Sequence, residues 1–64
     1  MENDNEYNLK YKPGDRVIHI INNKIGTINK FRKNEYNNNI YYINYDDGTF
    51  DSYGIETSLL YISL

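Results

Sequence analysis

The alternation of apolar and polar residues is clearest over residues 40–53, where it predicts a β-hairpin. Tyr41, Ile43 and Tyr45 occupy every second position, so they share one face of an extended strand. Residues 46–48, Asp-Asp-Gly, then provide a tight turn, because Asp caps the backbone and Gly accepts a positive φ. An isolated hairpin is only marginally stable in water, so the segments before and after it must cover its apolar face.

The rest of the chain predicts further short strands and one helical turn. The segment before the hairpin contains a strand with two apolar faces, interrupted by His19, and a longer strand that Gly26 and its β-branched neighbours make twisted or bulged. The predicted fold class is therefore all-β, a small five-stranded antiparallel barrel with a short helical turn before the last strand. The predicted strands cover residues 16–21, 24–33, 40–45, 49–53 and 59–64, and the helical turn covers 54–58.

The 64 residues are expected to form one domain with a short leading tail. Residues 1–10 are mostly polar and predict a flexible N-terminal tail, which leaves residues 11–64 for the barrel. Tyr7, Leu9 and Tyr11 nevertheless alternate, so we expect a short extended lead-in that docks on the barrel.

Composition narrows the class of protein. The chain has no cysteine, so apolar packing and sheet hydrogen bonds must supply its stability, and a reducing cytoplasmic setting fits. No apolar run approaches the roughly 20 residues of a membrane-spanning helix, and the chain starts acidic where a signal peptide would be basic. We therefore expect a soluble intracellular protein. Frequent Asn, Ile, Tyr and Lys, which have A/T-rich codons, suggest a bacterial, phage or viral genome of that composition.

Several short motifs carry a resemblance to a known family. They are Gly14-Asp15-Arg16-Val17 with His19, then Gly26-Thr27-Ile28, and Tyr45-Asp46-Asp47-Gly48. With these motifs the chain resembles SH3-like barrels of the Tudor type over about residues 12–62. The first two motifs look most like the small Tudor-like domain at the C-terminus of bacterial superfamily-1 repair helicases. The resemblance implies a non-catalytic contact surface for RNA polymerase and other partners.

Two other classes of binding domain have related barrels, but the sequence matches their characteristic features less well. Methyl-lysine readers of the Tudor family build an aromatic cage, partly around the first hairpin loop, but residues 20–25 contain no aromatic residue. Only Tyr45, Phe50 and Tyr53 are candidates for the second half of such a cage. Nucleic-acid-binding KOW modules share the glycine pattern of the opening motif, but the net charge of -2 argues against a general attraction to phosphates.

The residues that could carry chemistry have structural explanations. Asp46 and Asp47, with Asp51 nearby, could form an acidic cluster, although a hairpin turn requires the first two in any case. His19 has neither further ligands nor a nucleophile at a recognisable spacing. We therefore predict that the protein is not an enzyme and uses no cofactor and no metal.

The basic residues between positions 24 and 33 interleave with aromatic residues, which is the composition of a nucleic-acid-binding face or of an ordinary solvated face. Positions 30 and 32 share one face of a strand and position 33 lies on the other, so these charges need not converge. The candidate nucleic-acid-binding residues are Lys24, Lys30, Arg32 and Lys33.

The eight tyrosines exceed what so small a barrel can bury, so some must be exposed, either for binding or through coding bias. We predict a stand-alone protein-interaction module, in a phage or virus an inhibitor or adaptor of a host protein or nucleoprotein complex. The alternatives are a KOW-like nucleic-acid-binding module and a methyl-lysine reader. The candidate protein-binding residues are Tyr42, Tyr45, Phe50 and Tyr53, of which Tyr45 and Phe50 could instead be structural.

Overall fold

The computed structural model describes residues 9–62, which form a single antiparallel sheet of five strands. The prediction of an all-β domain with a short helical turn before its last strand is confirmed. The strand order is β4-β3-β2-β1-β5, so the last strand returns to pair with the first. The strands are β1 Arg16–His19, β2 Lys24–Lys33, β3 Asn39–Tyr45, β4 Phe50–Ile55 and β5 Leu59–Tyr61, with a 3-10 turn at Glu56–Ser58.

The bounds of every strand except β2 differ from those predicted, and β3 differs only in starting one residue earlier, at Asn39. β1 ends at His19, two residues early, because the backbone N–H of Asn23 donates to the His19 carbonyl at 2.8 Å and closes a turn. Asn23 has a φ of 62°, a left-handed conformation that asparagine tolerates. β4 instead continues through Gly54 to Ile55 and so shortens the helical turn. β5 ends at Tyr61, so Ile62 lies beyond the strand, and the last two residues of the predicted final strand lie outside the described residues.

β2 contains the predicted irregularity. Its pairing with β3 shifts between Ile28, which is opposite Ile43, and Lys30, which is opposite Tyr42, so Asn29 is the extra residue. A bulge of this kind bends the strand and increases its twist. The alternation is thereby reset, and Lys30 and Phe31 lie on opposite faces of β2 after the bulge.

The core lies on the inner face of the sheet and includes residues of the N-terminal lead-in. The Tyr11 hydroxyl donates to the Leu59 carbonyl at 2.8 Å, and its ring packs edge-on against Tyr41 at 5.5 Å between centroids. Leu9 and Phe31 pack against this cluster, so the expected docking of the lead-in is confirmed for Leu9 and Tyr11. Tyr7 and most of the predicted tail lie outside the described residues. The buried cluster is Tyr11, Val17, Ile28, Tyr41, Ile43, Tyr45 and Leu59.

A close approach of β2 to β3 explains one glycine of the opening motifs. A Cβ at Gly26 would lie 2.6 Å from the backbone oxygen of Asn44 and 2.9 Å from the Cα of Tyr45. Backbone atoms of a central strand cannot move aside as a flexible side chain can. Gly26 is therefore required by packing between the strands, since only hydrogen fits there.

Candidate binding face on strands β2, β3 and β4

The side of the sheet that faces away from the core carries most of the predicted binding residues. Residues opposite one another on neighbouring strands share a face, so the register fixes which side chains lie together. We call this surface the outer face. It comprises Lys30 and Arg32 on β2, Tyr42 and Asn44 on β3, and Phe50, Tyr53 and Ile55 on β4. Ile40 occupies an outward position of β3 but is fully buried beneath its neighbours.

Two cations on the outer face lie over tyrosine rings. The Lys30 ammonium is 4.8 Å from the ring centroid of Tyr42, its partner in the register. The Arg32 guanidinium carbon is 5.3 Å from the ring centroid of Tyr53, two strands away. The attraction between a cation and the ring quadrupole is worth about 0.5–1 kcal/mol at exposed sites. It orders long side chains that would otherwise sample many rotamers.

β4 contributes a column of exposed apolar side chains. Phe50 is 72% exposed, Tyr53 48% and Ile55 42%. The Tyr53 hydroxyl accepts a hydrogen bond from the Asn34 side chain at 3.2 Å, which links β4 to the loop after β2. Large apolar side chains grouped on one surface are typical of interaction sites, whereas scattered ones are not informative.

The outer face carries positive charge, although the whole chain is acidic. The outward positions of β2, β3 and β4 contain Lys30 and Arg32 and no Asp or Glu. Among residues 9–62, neither cation has a carboxylate within salt-bridge distance. The carboxylate of β4, Asp51, is turned toward the core side, where it accepts from the Tyr45 hydroxyl at 3.1 Å.

The carboxylates of the hairpin turn, Asp46 and Asp47, bind groups of the turn and of neighbouring strands. Arg16 donates to both oxygens of Asp46, at 2.8 and 2.6 Å, and this lowers the pKa of Asp46. Thr49 donates to Asp47 through its hydroxyl and its N–H, and together with Lys24 lowers the pKa of Asp47 to about 2. Both carboxylates therefore stabilise the turn and its neighbours. In the described part of the chain, no three side chains converge as metal ligands.

The other predicted basic residues do not join the outer face. The Lys24 ammonium lies 5.3 Å from the Tyr45 ring centroid and 3.2 Å from the Asp47 carboxylate. The Lys33 ammonium lies 3.5 Å from the Asn37 carbonyl, on the opposite side of β2 from Arg32. Of the four predicted nucleic-acid-binding residues, the structure therefore brings only Lys30 and Arg32 together.

Tyr45 is a core residue and not part of the outer face. It is 6% exposed and shares the inner side of β3 with Tyr41 and Ile43. Its ring is also the one that Lys24 covers. A shallow open cleft of about 310 Å³ beside it is lined by Asn23, Lys24, Ile25, Asp46 and Asp47. The chain's own lysine thus lies against the ring and carboxylate that a methyl-lysine ligand would need.

His19 is buried and hydrogen-bonded. It is 9% exposed, and its Nδ1 accepts from the backbone N–H of Ile21 at 3.3 Å. Its Nε2 lies 3.9 Å from the Asp51 carboxylate, beyond hydrogen-bond distance. No nucleophilic side chain is hydrogen-bonded to this imidazole in the described residues.

A cluster around Glu56 could not be found from the sequence. Its carboxylate accepts from the Tyr41 hydroxyl at 2.5 Å, from the Lys10 N–H at 3.1 Å and from the Asn39 amide at 3.2 Å. Burial raises the pKa of Glu56, but these donors outweigh it and the net pKa is lowered. Burial and Glu56 raise the pKa of Tyr41. This cluster holds the lead-in against the sheet.

Both edges of the sheet have backbone groups that are satisfied within the chain. On β4, the N–H of Tyr53 donates to the side chain of Asp51 at 2.8 Å. Next to β5, the N–H of Leu59 bonds to the Glu56 carbonyl, and the Leu59 carbonyl accepts from Tyr11. These three backbone groups are therefore not available to an added strand.

Comparisons with known proteins add no relative. No protein-family model matches the sequence, and neither the curated proteins nor the solved structures contain a significant match. Within residues 9–62, no helix is long and apolar enough to cross a membrane.

Proposed function

We propose that this chain is a non-catalytic protein-interaction domain of the SH3-like, Tudor type, and that the outer face is its binding surface. The observation that carries the proposal is the grouping of exposed Phe50 and Tyr53 with two cations on one carboxylate-free face. Five antiparallel strands, with the last paired to the first, are consistent with an SH3-like barrel. In a phage or virus, such a surface would serve to inhibit or adapt a host complex.

The outer face has the composition of a small interface. Exposed aromatic residues contribute large contact area at low entropic cost, and arginine is enriched among residues that dominate binding energy. A standard interface buries about 800 Å² on each partner, most of whose energy comes from a few anchors. Phe50 and Tyr53 are the anchors of this surface, and Tyr42 supports Lys30.

A nucleic acid fits the same face less well. Stacking of successive bases requires several free aromatic rings, but on the outer face Lys30 lies over Tyr42 and Arg32 lies over Tyr53, which leaves Phe50 uncovered. Only two cations converge, and each neutralised phosphate contributes separately to affinity. The net charge of -2 opposes the association further.

The test is a quantitative pull-down from cells of the source. Phe50→Ala and Tyr53→Ala remove the anchors, and Tyr61→Ala, another exposed aromatic residue on β5, is the matched control. All three variants must first show the wild-type unfolding transition. We expect one protein that wild type and Tyr61→Ala retain and that both anchor variants release. Recovery only of nuclease-sensitive material, or identical partners for every variant, would refute the proposal.

A further inference from the structure

We infer that this chain forms a weak two-fold dimer through a second apolar surface, at the opposite end of the sheet from β4. Its centre is a row of three aliphatic side chains, Leu60, Ile18 and Ile25, which we call the apolar row. The bulge at Asn29 bends β2 between this row and the outer face. The inference goes beyond the proposed function, because it concerns another surface and another partner, a second copy of the chain.

The apolar row crosses three neighbouring strands. Ile18 on β1 is opposite Ile25 on β2 and opposite Leu60 on β5, so the three side chains lie side by side on one face. The residues on either side of Ile18 in the chain, Val17 and His19, are buried on the core side. The apolar row is therefore on the outward side of the sheet, where Ile25 is 41% exposed and Leu60 is also exposed.

This row explains the two apolar faces of β1. A strand with two apolar faces is typical of a strand that is covered on both sides. The core covers one face of β1, but the exposure of Ile25 and Leu60 shows that residues 9–62 leave the other face partly open. Ile20 and Ile21, which follow β1 directly, are exposed as well and enlarge the same apolar corner.

The charges beside the apolar row are neutralised within the chain. Arg16 of β1 donates to both oxygens of Asp46, and the Lys24 ammonium of β2 lies 3.2 Å from the Asp47 carboxylate. This border has no net charge with which to select an acidic or a basic partner, and it does not repel an identical border. A second copy of the chain meets both conditions.

The apolar row is complementary to a copy of itself. Adjacent strands are about 5 Å apart, so Leu60 and Ile25 lie at equal distances on either side of Ile18. A two-fold axis that passes between two facing sheets at Ile18 therefore brings each end of the row against an aliphatic side chain of the other copy. Isologous interfaces require this self-complementarity, and facing sheets interdigitate such side chains at a spacing of about 10 Å.

The size of the surface indicates that the dimer is weak. Burial of the exposed parts of Ile20, Ile21, Ile25 and Leu60 removes roughly 200–300 Å² of apolar surface from each copy. A standard interface buries about 800 Å² on each partner. We therefore expect a reversible dimer with a dissociation constant on the order of 100 µM.

The first experiment is sedimentation equilibrium of the purified protein from about 10 µM to about 1 mM. We expect a monomer–dimer equilibrium that added NaCl does not weaken, because the contact is apolar and screening acts on charges. A monomer at the highest concentration, assembly beyond a dimer, or dissociation by salt would overturn the inference.

Variants locate the contact. Ile25→Lys and Leu60→Lys should each weaken the dimer at least tenfold, because a two-fold interface contains every substitution twice. Ile55→Lys is the matched control, since Ile55 is 42% exposed on β4 and lies outside the apolar row; it should leave the dimer unchanged. All three must retain the wild-type unfolding transition. A dimer that Ile55→Lys dissociates, or that neither variant of the row weakens, would contradict the inference.

Cross-linking decides the question if the lysine variants do not fold. The chain has no cysteine, so Ile18→Cys and Ile55→Cys each introduce a single thiol. A residue at the two-fold axis meets its own copy, so a short bis-maleimide should link Ile18→Cys chains and leave Ile55→Cys chains unlinked. The opposite result would overturn the inference. The pull-down depends on Phe50 and Tyr53, which lie outside the apolar row, so either proposal can fail while the other stands.

Discussion

Replacing Tyr41 with phenylalanine tests whether one buried hydroxyl holds the N-terminal lead-in on the sheet. The side chain is fully buried, and its hydroxyl has two partners. It donates to the Glu56 carboxylate at 2.5 Å and accepts from the backbone N–H of Tyr11 at 3.3 Å. Phenylalanine fills nearly the same volume, so the change removes the hydrogen bonds and leaves the packing.

The magnitude follows from those two partners. A hydrogen bond to a charged group contributes about 1.5–3 kcal/mol, and a buried N–H without an acceptor costs about 1–3 kcal/mol. Because the Tyr11 bond is long and Glu56 keeps two other donors, we expect a loss of about 2–3 kcal/mol in the free energy of unfolding. In a domain this small, that corresponds to a decrease in Tm of at least about 8 °C.

The assay is thermal and urea unfolding followed by circular dichroism, with Tyr42→Phe as the control. The Tyr42 hydroxyl makes no hydrogen bond within residues 9–62, so its removal should cost less than about 0.5 kcal/mol. Glu56→Gln and the double variant complete a cycle that isolates the coupling between the two side chains. Equal effects of Tyr41→Phe and Tyr42→Phe, or a coupling near zero, would refute the reasoning.

Two further predictions concern pH and backbone packing. Because the pKa values of Glu56, Asp46 and Asp47 are lowered in the folded state, their stabilisation is present above the unfolded values and lost as pH falls through the folded ones. The urea midpoint should therefore decrease from about pH 5 to about pH 2, and a constant midpoint would contradict this. Gly26→Ala should cost more than about 2 kcal/mol, because its Cβ would meet the Asn44 oxygen at 2.6 Å. Gly14→Ala, with open space but a φ of 97°, should cost only about 1 kcal/mol; the reverse order in urea unfolding would show that β2 and β3 are less closely packed.

Local pattern was sufficient for most of the secondary structure. The bounds of β2 and the hairpin turn depend on residues close in sequence, and both were predicted. The end of β1 was not, because the turn that replaces its last two positions depends on the left-handed conformation of Asn23 rather than on hydrophobicity. An isoleucine in a turn has the same sequence signal as one in a strand.

The candidate site was predicted only in part, because some of its features follow from the pattern within one strand and others from the pairing of several strands. Alternation along β3 already places Tyr45 with Tyr41 and Ile43, so its burial follows from the pattern that grouped them. The convergence of Arg32 with Tyr53 depends on how three strands pair, which no short segment specifies. The contact between Tyr41 and Glu56 likewise joins elements distant in sequence, and only the folded chain brings them together.

Tyr11 also occupies a backbone acceptor at one edge of the sheet. Its hydroxyl occupies the Leu59 carbonyl at the free side of β5, where an exposed carbonyl could accept a strand from another molecule. A proteolytic cut after Tyr11 would remove the hydrogen bond to Leu59 together with one residue of the core. The fragment would then have an open edge and a weakened interior, which is the combination that leads small β proteins to polymerise.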